Sequence, residues 1–109
     1  VASRTLQVHD GIRDDAAKHP EHFCLEDIIG VTKDFHMMRR HRTIGEIDLL
    51  MIDSEGVYYP FEIKTHNTHR VKAEHQLHVA KKYLHDTFRP SLIVPIYVWG
   101  RRMYYEKLI

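Results

Sequence analysis

The chain predicts an α/β fold, three layers with a central mixed β-sheet flanked by helices. Three observations carry this. Apolar residues recur at helical spacing at Ala73, Leu77, Ala80, Leu84 and Phe88. Two strand-like runs, 46–52 and 57–64, are joined by a short turn containing Gly56. The run LIVPIYVW at 92–99 is almost wholly apolar, as expected of a strand buried on both faces.

Taken in order, residues 4–18 suit a first helix, although Gly11 and mixed polarity weaken the pattern. A second helix is expected from Pro20, which fits the first helical position, to Gly30, which fits the residue past the end. Phe23, Cys24 and Ile28 give it an apolar side. Strands follow at 34–41, 46–52 and 57–64; Leu49 to Ile52 are apolar in succession, so the middle strand should be covered on both faces. Asn67 or Thr68 can cap a helix reaching about Phe88. The apolar run at 92–99 is the next strand, Gly100 turns the chain, and 103–107 returns as an edge strand. The expected order is α-α-β-β-β-α-β-β. With no repeat or linker-like stretch in 109 residues, a single domain spanning 1–109 is predicted.

Composition narrows the function classes. No apolar run approaches the roughly 18 residues of a membrane span, and no signal-peptide pattern opens the chain. Cys24 stands alone, so no internal disulfide can form, and an intracellular, cytoplasmic protein is expected. The chain starts at Val1, as a processed, trimmed or excised segment would. Net charge is only +1, so the distribution of charge carries more information than its total. Basic residues cluster at Arg39, Arg40 and Arg42, at Arg70 and Lys72, at Lys81 and Lys82, and at Arg101 and Arg102. The ten histidines are scattered and form no HExxH pair or four-ligand spacing, so structural zinc is not expected.

The chemistry concentrates in the hairpin joining the second and third strands. Asp53-Ser54-Glu55-Gly56 fits a three-residue loop with Gly56 in the left-handed position. Opposed residue numbers then sum to 110, which sets Asp48 across from Glu62 and Glu46 across from Lys64, all on one face. Ile47, Leu49, Phe61 and Ile63 fall on the other. A loop one residue shorter or longer would split the acidic pair between faces. Pro60 lacks a ladder donor, so a bulge or an unpaired segment is expected beside it.

Two carboxylates facing across a ladder have Cβ atoms only ~5 Å apart and repel. A divalent cation removes the conflict, and hard oxygen ligands suit Mg²⁺ or Mn²⁺. Asp48, Glu62 and the carbonyl of Ile63 form the candidate ligand set. Lys64, on the same face, can orient an attacking water and stabilise charge on a phosphate, which is the arrangement of metal-assisted hydrolysis. The plainer alternative is a solvated face in which Glu46 pairs with Lys64. The apolar flanking strands argue against it, because charges inside a covered strand need a partner.

GEIDLLMID at 45–53 followed by FEIKT at 61–65 resembles the signature of PD-(D/E)XK nucleases, most closely the GEID…E-x-K branch of YraN-type proteins, Holliday-junction resolvases and RecB-like nuclease domains. The resemblance covers about 35 residues well. It implies a restriction-endonuclease-like core, with Asp48 as the metal-binding aspartate, Glu62 and Lys64 as the E-x-K pair, and Glu46 in support. Gln76 and Tyr83 resemble the Q…Y helix of the RecB-like branch, where the glutamine supports the site. Many members carry an acidic residue on the helix before the first strand; Glu26 is the candidate here and Glu21 its competitor. One departure is Glu46-Ile47 where the leading proline of the motif would stand.

The resemblance implies a Mg²⁺- or Mn²⁺-dependent deoxyribonuclease, an endonuclease rather than an exonuclease, holding DNA phosphates through Arg39, Arg40, Arg42 and Lys72. By analogy with the resolvases it implies branched or structured DNA as substrate and a homodimer presenting two sites. The alternative is a catalytically inactive nucleic-acid-binding module that retains the nuclease fold. A further one is a histidine-rich binder of transition metals.

Overall fold

The structure, a computed structural model, describes residues 4–108. It is an α/β arrangement of two helices and a mixed six-stranded sheet. Helix α1 (Arg4–Lys18) is followed by a 3₁₀ turn at Pro20–Phe23, strands β1 (Ile28–Arg39), β2 (Arg42–Asp53) and β3 (Val57–Lys64), and helix α2 (Arg70–Phe88). Strands β4 (Leu92–Ile93), β5 (Ile96–Trp99) and β6 (Tyr104–Lys107) complete the chain. No helix among the described residues is long and apolar enough to cross a membrane.

The second helix expected from Pro20 is only the 3₁₀ turn, and Gly30 lies inside β1. Cys24 follows the turn in the left-handed conformation (φ +58°), and with Asp27 also left-handed (φ +54°) the chain turns into a strand six residues earlier than expected. Gly30 pairs with Ile52, and a side chain at position 30 would meet Ile52 only at ordinary van der Waals distance. Asn67 does not cap α2. Asn67, Thr68 and His69 form a 3₁₀ turn ahead of Arg70, and Asn67 Oδ1 instead accepts the Tyr97 hydroxyl at 2.9 Å.

The sheet order is β1-β2-β3-β5-β6, with β4 also pairing β3. Strand β3 is antiparallel to β2 and parallel to β4 and β5. The run at 92–99 is therefore two short strands in one lane rather than a single strand. Both keep the same offset against β3, and that offset sets Pro60 beside Pro95 in the gap between them. Neither proline can donate to a ladder, so the break falls where no N–H is lost. The pairing of β2 with β3 runs through Leu50↔Pro60 without a shift, so the interruption is on the β4–β5 side of Pro60.

Consecutive residues of β2 divide between the helices. Leu49 and Met51 join Ile12 and Ala16 of α1, with Phe61, Ile63, Ile96 and Val98. Leu50 joins Ala80, Tyr83 and Leu84 of α2, with Ile93. This is the two-sided burial that the apolar run Leu49–Ile52 predicted. On α2, Ala73, Leu77, Ala80 and Leu84 are buried as the spacing required, while Phe88 is exposed. The β2–β3 loop has the predicted form. Gly56 has φ +81°, and Asp53 accepts the N–H groups of Glu55 and Val57 and the Tyr59 hydroxyl, fixing the turn from within.

Candidate active site

The β2–β3 ladder runs from Ile52↔Tyr58 to Leu49↔Phe61, with paired numbers summing to 110 as the loop predicts. The next step, Asp48 with Glu62, is not a ladder pair, because the strands part there. Asp48 Oδ2 instead accepts the Ile63 N–H at 2.7 Å, satisfying a donor that the β2 backbone no longer reaches. The β1 side is irregular at the same level. Lys33↔Leu49 and Phe35↔Ile47 bracket Asp34 and Asp48, which the ladder skips, and Asp34 is left-handed (φ +53°).

This irregularity corrects one expected grouping. Ile47 packs with Leu50 in the α2 cluster, whereas Leu49, Phe61 and Ile63 pack in the α1 cluster. Alternation along β2 slips by one residue at Asp48. The slip frees the Asp48 carboxylate from a regular sheet face and lets it reach both β3 and α1.

Glu62 and Lys64 stay together, Lys64 Nζ lying 3.4 Å from Glu62 Oε1. Glu62 is only 5% exposed. Burial, then the charge of Asp48, push its carboxyl up to about 8 against the opposing pull of Lys64. Glu62 is thus buried beside a half-buried Asp48, and the cost of that placement appears as a carboxyl that holds its proton near neutral pH.

The helix contribution differs from expectation. Glu26 is exposed in the loop before β1, and Glu21 is exposed and paired with His19, so neither reaches the pair of acids. His9 of α1 does, with Nε2 3.3 Å from Asp48 Oδ2 and Nδ1 3.2 Å from Asp10 Oδ1. The hydrogen bond to Asp48 outweighs partial burial and raises the imidazole to about 9, so both ring nitrogens donate at neutral pH. A signal for His9 existed in the sequence: His9, Ile12 and Ala16 fall on one helix face, and Ile12 and Ala16 are core residues.

Glu46 is not brought to the site. Beyond the fork β2 pairs only with β1, and Glu46 is exposed opposite His36, 3.5 Å away, not opposite Lys64. Tyr83 is committed elsewhere, its hydroxyl accepting the Met38 N–H at 3.1 Å. Gln76 lies on α2, which packs against β5. Glu62 is paired with Tyr97 of β5, and Tyr97 packs against Ala73 and Leu77, which flank Gln76 on α2. Its buried Oε1 has no hydrogen-bond partner, a deficit costing about 1–3 kcal/mol that a cation or a donor on a bound molecule would remove.

Beside the site, Thr5 and Val8 of α1, Thr65, His66 and Arg101 line a cleft of about 600 Å³. The Gly100 N–H donates to the Lys64 carbonyl, which holds Arg101 over that cleft. Arg39, Arg40 and Arg42 are exposed at the β1–β2 turn, and Lys72 is exposed on α2. Among the described residues no three His, Cys, Asp or Glu side chains form a ready-made metal cage. The chain matches no family model, no curated protein and no solved structure.

Proposed function

We propose that the chain is a metal-dependent endonuclease of the PD-(D/E)XK type, hydrolysing phosphodiester bonds of DNA on a three-layer, restriction-endonuclease-like core. The observation that carries this reading is the fork between β2 and β3. There Asp48 reaches across to the Ile63 N–H, beside a buried Glu62 that stands 3.4 Å from Lys64. A salt-bridge face in solvent would leave these groups exposed and Glu46 paired with Lys64, and neither holds.

The donor set fits a hard divalent cation: two carboxylates forced together under burial, and an unpartnered amide oxygen on the adjacent helix. Asp48, Glu62 and the Ile63 carbonyl would hold Mg²⁺ or Mn²⁺, and a bound ion supplies positive charge at the phosphoryl oxygen and a more acidic water. The remaining roles belong to the chain. The Lys64 ammonium orients the attacking water and stabilises charge on the phosphate. His9 holds the Asp48 carboxylate in place, and Gln76 supports the Glu62 side of the site. Arg39, Arg40, Arg42 and Lys72 contact the DNA. Branched or structured DNA and a homodimer with two sites extend the same proposal.

Nicking of plasmid and junction DNA with Mn²⁺ tests it. Asp48→Ala and Lys64→Ala should each lose at least about 100-fold in rate, the scale of one catalytic group. Equal behaviour of wild type and variants would remove the enzyme reading. A second reading, a binding module that keeps the fold without cleavage, is favoured by one feature: Asp48 Oδ2 is already engaged by both Ile63 and His9. It predicts DNA binding with no Mn²⁺-dependent nicking.

A further inference from the structure

Beyond the fork, β1 and β2 continue as a two-stranded ribbon with no β3 beside it, paired from Phe35↔Ile47 to Arg39↔Arg42. Its base is anchored. Met37 and Ile47 pack with Ala80 and Tyr83 of α2, and the Tyr83 hydroxyl accepts the Met38 N–H. From Asp48 to the turn is six residues of strand, or ~20 Å at the rise of an extended chain. The tip therefore stands well away from the acids on a short, clamped lever.

The turn is built at a conformational cost. Arg40 (φ +51°) and His41 (φ +67°) are both left-handed, the geometry of a tight two-residue hairpin turn for which Asn-Gly is the usual choice. Placing Arg-His there gives up an easier turn in return for two basic side chains at the apex. Arg39, Arg40, His41 and Arg42 are all exposed, and none has an ion-pair partner among the described residues. Two other arginines are tied down, Arg13 to Asp10, Asp14 and Asp34, and Arg70 to Glu74 and Glu106, whereas Arg89, Arg101 and Arg102 are as free of ion pairs among the described residues as the apex. Met38 and Ile44, exposed at 45% and 44%, sit just behind the basic apex.

We infer that this tip, Met38–Ile44, is a reading arm that enters the major groove of duplex DNA, a proposal that rests on the DNA-directed function above. The groove is about 12 Å wide and admits a two-stranded ribbon. Arg40 and His41 at the apex address base edges, guanine N7 and O6 above all. Arg39 and Arg42 neutralise the phosphates of the groove walls. Met38 and Ile44 meet apolar groups such as the thymine methyl. The arm thereby adds base contacts to a site whose other basic residues can only position the backbone.

The test is duplex binding by the full chain in EDTA, read by fluorescence anisotropy, so that cleavage plays no part. The probes are a guanine-containing duplex, the same duplex with 7-deazaguanine, and its single strand. Wild type should prefer the duplex and lose affinity on deaza substitution. The double variant Arg40→Ala/His41→Ala should bind at least about tenfold more weakly and become indifferent to the deaza change. Arg39→Ala/Arg42→Ala should flatten the dependence of affinity on salt by up to about two units of slope. Lys18→Ala, exposed on α1, is the control for a general loss of charge, and far-UV circular dichroism checks folding. Wild-type indifference to 7-deazaguanine, a preference for single strands, absence of binding, or an unaffected apex variant would each overturn the arm. Nicking in Mn²⁺, measured beside binding, separates the two ideas. Full binding with no nicking by wild type in Mn²⁺ ends the nuclease and keeps the arm, whereas normal nicking by the apex variant ends the arm and keeps the nuclease.

Discussion

Raising the pH of the metal-free protein from about 5 to about 6.5 should weaken it, and Glu62→Gln should remove most of that trend. The Glu62 carboxyl titrates near 4.5 when unfolded and is raised to about 8 when folded. Between those values the native state holds a proton that the unfolded state has released, so stability falls as pH rises, by about 1.4 kcal/mol per unit. Over the window from pH 5 to 6.5 this group dominates and gives a loss of about 2 kcal/mol. His9, whose unfolded form begins to release its proton near the top of the window, adds only about 0.4 kcal/mol in the same direction. Asp14 and Asp53, whose folded values are lowered, have delivered their contributions by about pH 5. Over the whole range the shift corresponds to about 5 kcal/mol, an upper bound that water entry and movement of Lys64 would reduce. Urea unfolding in EDTA, followed by Trp99 fluorescence at several pH values in the window, measures the slope. Glutamine keeps the shape and removes the titration, so its curve should be nearly flat and should lie above wild type by an increasing margin as pH rises. A flat wild type, or a variant that retains the slope, would refute the buried acidic pair.

Three further outcomes are expected. Saturating Mn²⁺, at about 100 times its Kd, should stabilise the wild type by about 3 kcal/mol in thermal unfolding, and Asp48→Ala should remove the effect. The stability margin of wild type over His9→Gln should be full below about pH 6.5 and vanish as pH rises through about 9, because a raised histidine contributes only while protonated; a margin independent of pH would deny the His9–Asp48 ion pair. Asp53→Ala should cost about 2–4 kcal/mol in urea unfolding, since it strips the turn of three hydrogen bonds to a buried carboxylate, and Asp53→Asn should recover part of that loss.

The helix in the second half and the third strand could be read nearly to the residue, because each rests on a local period that its own side chains display. The stretch from Pro20 to Gly30 could not. A proline at a plausible start and a glycine at a plausible end imitate a helix, and of the two left-handed residues that divert the chain, Cys24 is not a residue type that announces a turn while Asp27 is one that helices also carry. The break at Val94–Pro95 was hidden for a related reason. An apolar run reads as one strand until its neighbour's Pro60 is known to lie alongside.

The candidate site divides in the same way. The register of 110 follows from a loop of fixed length closed by Gly56, and period-two geometry then carries it along both strands; the sequence alone could place Asp48, Glu62 and Lys64 in one neighbourhood. Tertiary structure decided the rest. Where β2 leaves β3 depends on the distortion at Asp34 and Asp48, which is set by β1 and by the Asp34–Arg13 contact from α1. That His9, and not Glu26, meets Asp48 depends on how α1 lies over the sheet, 39 positions away in the chain. Turn length and alternation are properties of neighbouring residues and survive in a linear text, whereas the choice of partner between distant elements is made by packing, and packing exists only in three dimensions.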